Sequence, residues 1–282
     1  MQDYFEPAPP APENGGESLT AEQAIANLRG DDLGLRYYAA WWLGRFRVRE
    51  PAAVDALLAA LEDESDRTDD GGYPLRRNAA RALGKLGDQR SVPALIWCLE
   101  SSDYYVREAA AQSLEMLNAA ASVPVLMQML AGGVETAVLV PGKPHLAQPY
   151  NSVIEALGTL HATEAISLIQ PFLEHPVKRV QYSTARAMYQ LTGQSIYAER
   201  LIQALHGDEL QLRRSALMDL GAIGYLPAAE AIAGTLAENS LKLIALKGIL
   251  EHQLGSNPTQ PPSLPSLSDN AIQVMTVMDS LL

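Results

Sequence analysis

A ten-residue pattern that opens on Leu-Arg, runs through small apolar residues and closes on Leu-Gly recurs along this chain and constrains its fold more than any other feature. It reads LRYYAAWWLG at residues 35–44, LRRNAARALG at 75–84 and VREAAAQSLE at 106–115. It returns as PYNSVIEALG at 149–158, VQYSTARAMY at 180–189 and LRRSALMDLG at 212–221, with a weaker copy, LKLIALKGIL, at 241–250. The second positions fall at 36, 76, 107, 150, 181, 213 and 242, which sets the steps at 40, 31, 43, 31, 32 and 29 residues. A unit of about 31 residues interrupted by two insertions accounts for the series. Each window follows another apolar stretch with helical spacing, such as SVPALIWCLES, SVPVLMQML or YLPAAEAIAGTLAE. Proline in a first helical turn removes no hydrogen bond. Paired helices joined by Gly and Asp turns, without any sustained β alternation, predict an all-α fold, an α-solenoid of roughly six to seven helix pairs.

The solenoid is expected over residues 18–254. Residues 1–17 are rich in Pro, Glu and Gly and are expected to form a disordered arm. Residues 255–282 begin as a Pro/Ser-rich linker and continue into DNAIQVMTVMDSLL, where Ile272, Met275 and Met278 have helical spacing. That last stretch reads either as a short docking helix or as a frayed tail.

Composition narrows the function classes. The 282 residues are 48% hydrophobic but only 6% aromatic, a balance that suits closely packed helices. A net charge of −12 argues against nucleic acid as a partner and against an anionic membrane surface. The single cysteine, Cys98, excludes an internal disulfide and reads as a buried, inert thiol among apolar neighbours. Neither a signal peptide nor a run of about 18 apolar residues is evident, so a soluble cytoplasmic protein without membrane insertion is expected. There is no phosphate-binding glycine loop, nucleophile elbow or H-E-x-x-H motif, and the histidines show no metal-ligand spacing.

Stacking the windows separates scaffold from surface. Positions five, six and nine are almost uniformly apolar and should bury one helix on the next. Positions three and seven lie four residues apart, hence on one helical face. The third column holds Tyr37, Arg77, Glu108, Asn151, Tyr182, Arg214 and Leu243; the seventh holds Trp41, Arg81, Gln112, Glu155, Arg186, Met218 and Lys247. Both are expected to line a groove, with Tyr38 and Trp42 turned toward a neighbouring repeat. The alternative for Tyr37 and Trp41 is an exposed cap on the first repeat. Four arginines, Arg77, Arg81, Arg186 and Arg214, along one face of an acidic protein suit an anionic ligand. The second-column arginines Arg36, Arg76, Arg107 and Arg213 read instead as braces, with Asp103 placed to pair with Arg107. The insertions add an acidic loop at 63–77, DESDRTDDGGYPLRR, which lacks calcium-loop spacing, and the segment GGVETAVLVPGKPHLAQPY at 132–150. In the latter, His145 beside Lys143 is either an acid–base group or an ordinary surface histidine.

The stretches YYAAWWLGRF, DGGYPLRRNAARALGKLGD, GKPHLAQPY, VQYSTARAMYQLTG and LQLRRSALMDLGAIGYLPAAEAIA together resemble the E-subunit family of E/F-type heterodimeric phycocyanobilin lyases. The resemblance covers about residues 20–253 and includes both insertions. It implies a HEAT-like solenoid that works with an F-type lyase subunit and attaches phycocyanobilin, as substrate and not as a resident cofactor, to a cysteine of the apo-phycocyanin α subunit. On that reading Tyr37, Trp41 and Tyr182 stack on the bilin rings, while Arg77, Arg81, Arg186 and Arg214 hold its propionates. Glu155 is the candidate acid and His145 the candidate base; no metal is implied. The alternative is a non-catalytic scaffold or chaperone for apo-phycocyanin or for the F subunit.

Overall fold

The computed structural model describes residues 19–255 and 267–282. The expected disordered arm, and most of the Pro/Ser-rich linker expected to begin at residue 255, lie outside the described residues. Among the described residues every regular element is helical; a lone antiparallel bridge joins Leu139 and Leu146 within the second insertion.

The chain divides into two units, one ending at Leu168 and the other beginning at Ile169. The first contains α1 (Ala21–Leu28), α2 (Leu33–Arg45), α3 (Pro51–Glu62), α4 (Pro74–Leu86), α5 (Val92–Cys98), α6 (Tyr104–Met116), α7 (Val123–Met129), α8 (Gly133–Thr136) and α9 (Tyr150–Thr159). The short α10 (Ile166–Ile169) spans the division. The second unit contains α11 (Lys178–Thr192), α12 (Ser195–Ala204), α13 (Leu210–Ile223), α14 (Ala229–Gly234), α15 (Asn239–Leu254) and α16 (Asp269–Asp279). The seven windows fall on α2, α4, α6, α9, α11, α13 and α15, the second helix of each pair.

The column reading accounts for the core. At positions five, six and nine all the residues are buried, from Ala39, Ala40 and Leu43 in α2 to Ala245, Leu246 and Ile249 in α15. Thr184, the polar exception, returns its hydroxyl to the Val180 carbonyl at 2.7 Å. Consecutive second helices pack on one another within each unit, α2 on α4 on α6 on α9 and α11 on α13 on α15. Window-closing glycines allow close helix–helix approaches. A Cβ on Gly44 would stand 2.8 Å from the Ala82 Cα, and one on Gly221 2.8 Å from the Ala245 Cα.

The second-column arginines brace the pairs, but through carbonyls more than carboxylates. Arg213 donates to Gly207 O at 2.7 Å and Leu236 O at 3.1 Å, and Lys242 in the same column donates to Ala233 O at 2.9 Å. Arg36 is the one with a close carboxylate, Asp63 at 2.6 Å. Asp103 does not serve as the partner expected for Arg107. Its carboxylate accepts from Tyr105 N at 2.8 Å, capping α6, and from Tyr73 N at 2.7 Å. An N-cap satisfies an otherwise orphaned helix donor, a stronger local demand than an arginine that already reaches carbonyls.

In α16 the packed face is Ala271, Val274 and Val277, against α14 and α15. Ile272 and Met275 are exposed and only Met278 of the Ile272–Met275–Met278 stripe packs on the apolar core, so the docking face is shifted by one residue over the first two positions. Among the described residues no helix is long and apolar enough to cross a membrane.

Candidate functional site

In the first unit the third and seventh columns of α2, α4 and α6 are half-exposed, as a surface stripe should be. Trp41 and Arg81 come together in a small pocket with Asn78 and Lys85, over a floor of Ala40, Gly44 and Ala82. The floor is shallow because it consists of residues small enough for α2 and α4 to touch. Asn78 also donates to Tyr37 O at 3.4 Å, which ties the two helices beside the pocket. The aromatic doublets stay within their own helix end: Tyr38 packs on Trp41 with ring centroids 5.5 Å apart, and Trp42 on Phe46 at 4.7 Å. Tyr38 thus packs on the stripe residue Trp41, while Trp42 packs on Phe46 at the end of its own helix.

A second cluster forms where the two insertions meet the N-terminal end of α6. Arg107 donates from Nε to Gln148 Oε1 at 2.9 Å and from Nη2 to Ala147 O at 2.9 Å, while Nη1 reaches Ser101 O at 2.7 Å. That holds the end of the second insertion on α6. The first insertion joins through Tyr73 and Asp103, and an exposed pair, Lys143–Asp70 at 3.7 Å, links the two loops. The first loop also folds on itself, with Thr68 N–H donating to Gly72 O at 2.9 Å. Asp66 accepts from Leu75 N–H, and burial raises its carboxyl above the ordinary range.

His145 lies in this cluster with its ring 4.1 Å from Tyr104 and 12° from parallel, and with Tyr105 edge-on at 5.8 Å. The Arg77 guanidinium sits 5.7 Å above the Tyr105 ring, and its buried Nε has no hydrogen-bond partner among the described residues. Arg76 stacks on Tyr73 at 4.2 Å and is buried. Sequence reasoning singled out Arg77 and His145 but missed Tyr104 and Tyr105. The available signal was the adjacent pair of tyrosines at a helix start, facing an insertion that carries a histidine.

The other sequence candidates are dispersed. Glu155 occupies the seventh column of α9 yet is buried, at 2% exposure, and so departs from the half-exposed stripe expected of it. In the second unit Tyr182 packs against the apolar core, and burial raises its phenol. Arg186 and Arg179 converge on the buried Asp219 at 3.7 and 2.8 Å, and Arg214 is paired with Glu238. Cys98 is buried, and burial pushes its thiol up to about 12, so it is inert as the sequence suggests.

The comparisons with known proteins agree with this architecture. The chain matches the family model for HEAT repeats over residues 67–138 and the PBS lyase HEAT-like repeat over residues 35–63. The phycocyanobilin lyase subunit alpha of Nostoc sp. is 65% identical over 96% of this chain and 97% of its own length. That of Picosynechococcus sp. is 59% identical over 94% of this chain and 97% of its own. Among solved structures, a chain in the complex of CpcE and CpcF of phycocyanin lyase from Nostoc sp. matches with a TM-score of 0.89 at 65% identity, covering 96% of this chain and 98% of that one. The fold is therefore a HEAT-repeat solenoid, and the chain belongs to the family of phycocyanobilin lyase alpha subunits.

Proposed function

We propose that this chain is one subunit of a heterodimeric lyase that attaches phycocyanobilin, through a thioether, to a cysteine of the phycocyanin α subunit in the cytoplasm, with an F-type subunit as its partner. The observation that carries the reading is full-length relatedness, 65% identity over 97% of a phycocyanobilin lyase alpha subunit. Phycocyanobilin is a planar, conjugated tetrapyrrole with two propionates, and it enters as substrate. The pocket of Trp41 and Arg81, with Tyr37 and Arg77 along the same stripe, offers aromatic faces and guanidinium groups to such a molecule. The reaction is an addition: protonation polarises the ethylidene group, the acceptor thiolate attacks its exocyclic carbon, and nothing is oxidised. His145 is assigned as the base that receives the thiol proton, and Glu155 as the acid that protonates the tetrapyrrole. Holding thiol and ethylidene in register supplies much of the remaining acceleration.

One observation favours a scaffold role for the second unit. Arg186 and Arg214 already have carboxylate partners there, Asp219 and Glu238, so a propionate would have to displace them.

Absorbance of phycocyanobilin mixed with the heterodimer tests both parts, with assembly followed by size-exclusion chromatography. Replacing Arg77 and Arg81 together by alanine should weaken bilin binding by about ten- to a hundredfold, the worth of one charge-assisted contact. Tyr182→Ala and Arg186→Ala report on the second unit in the same assay. An assembled Arg77/Arg81 variant with an unchanged spectrum would move the bilin off this stripe.

A further inference from the structure

The segment that carries His145 is held at several points. Val140 N–H donates to the His145 carbonyl at 3.0 Å, Ala147 N–H donates to Val138 O at 3.0 Å, and Arg107 binds Ala147 O and Gln148. The imidazole itself is fixed by two contacts of different kinds. The Tyr104 ring lies against it, nearly parallel, and its Nδ1 is 2.9 Å from the Leu146 carbonyl. A carbonyl oxygen only accepts, so Nδ1 carries the proton and, in the neutral ring, Nε2 is the bare nitrogen. The torsion that spins an imidazole is broad and roughly two-fold. A flat neighbour sets the plane, and the Nδ1 bond chooses between the two orientations that share that plane.

We propose that Tyr104 is a positioning residue for the attachment reaction: together with the Leu146 carbonyl, it holds His145 as the Nδ1-protonated tautomer and presents Nε2 to the acceptor thiol. This rests on the reading of His145 as the base. The S–H proton passes to Nε2 and the sulfur–carbon bond forms at the ethylidene carbon. The π pair takes a proton from the acid; His145 then returns its proton to solvent, from which the acid regains one. The charged and titratable groups around the ring are consistent with that role. Arg107 lies 6.0 Å from the centre of the Tyr104 ring, Tyr105 packs edge-on to the imidazole, and the Lys143–Asp70 pair sits on the adjoining loops. Burial, reinforced by the charges of Glu108 and Tyr105, raises the Tyr104 phenol, so it stays a neutral stacking face.

Ring-labelled histidine NMR of the assembled heterodimer reads the tautomer directly, with His145→Gln assigning the signal. The expected result is a protonated Nδ1 and a bare Nε2 in the unmutated protein, becoming a mixture in Tyr104→Leu and unchanged in Tyr104→Phe. In bilin transfer, Tyr104→Leu should lower kcat about tenfold or more with KM unchanged, because a general base contributes roughly 10²–10⁴. The double variant with His145→Gln should be no slower than His145→Gln alone. A protonated Nε2 in the unmutated protein, or additive losses, would overturn the proposal. If His145→Gln leaves transfer intact, the base assignment and the positioning role of Tyr104 fall together, while the lyase reading stands.

Discussion

Arg107 ties the second insertion to α6, and replacing it by alanine gives a worked magnitude. Its guanidinium donates four hydrogen bonds, to Gln148 Oε1, Ala147 O, Ser101 O and Ser102 O, between 2.7 and 3.2 Å. Bonds to a charged group are worth about 1.5–3 kcal/mol when the acceptor is left dry. Ser102 is exposed and Ser101, Ala147 and Gln148 are half-exposed, so water replaces the arginine in part and about 1 kcal/mol per site is the better figure. Three close sites with some loss of stem packing give about 2–4 kcal/mol, and Arg107→Lys, which keeps the charge but not the fork, about half of that. The assay is built into the chain. Its three tryptophans, Trp41, Trp42 and Trp97, all lie in the first unit, so denaturant unfolding followed by their fluorescence reports that unit without the second. The same variant should release the 132–150 segment. Thermolysin, which cuts before large apolar residues, should then cleave at Val138 or Leu139 faster, both being already exposed. A loss below about 0.5 kcal/mol, within the range of ordinary surface substitutions, together with unchanged cleavage, would refute the claim that this guanidinium holds the insertion.

Two further outcomes follow from the packing and the charges. Gly221→Ala places a Cβ 2.8 Å from backbone atoms of Ala245, which cannot rotate away; α13 and α15 must separate, at a cost of about 1–3 kcal/mol that exceeds the helix-propensity gain of about 1 kcal/mol. Far-UV circular dichroism against denaturant measures it, and a more stable variant would contradict the close approach. The Arg36 guanidinium beside Asp63 lowers that carboxyl to about 2. Its stabilisation is therefore complete above the ordinary aspartate value of about 3.9 and fades as pH falls toward 2. Asp63→Asn should destabilise the first unit at about pH 7 and make little difference near pH 2, whereas an equal loss at both would disprove the pairing.

The scaffold was legible in the sequence because it repeats. Ala39, Ala79, Ala110, Val153, Thr184, Ala216 and Ala245 share a column, and each is buried by the same helix geometry. Contacts that do not repeat were harder to read. Asp103 stands one turn from Arg107, and spacing alone could not weigh a helix cap against an ion pair. His145 reaches Tyr104 across 41 positions of chain, through an insertion with no counterpart in other units. Glu155 kept its column but lost its exposure, since α9 is buried along nearly its whole length, from Ser152 to Gly158. In α16 only one copy of a short pattern was available, and the small Ala271 and β-branched Val274 and Val277 took the packed face in place of the bulkier Ile272 and Met275.

Both insertions are anchored to the start of α6, one through Asp103 and the other through Arg107. Neither is a separable appendage. Each joint meets a backbone atom of its insertion, Tyr73 N–H for Asp103 and Ala147 O for Arg107, so either loop can change sequence and keep that anchor as long as Asp103 and Arg107 stay in place. Two side chains one helical turn apart, Asp103 and Arg107, are therefore the shared hinge pin of both loops, and a substitution at the start of α6 is felt in residues 63–77 and 132–150 alike.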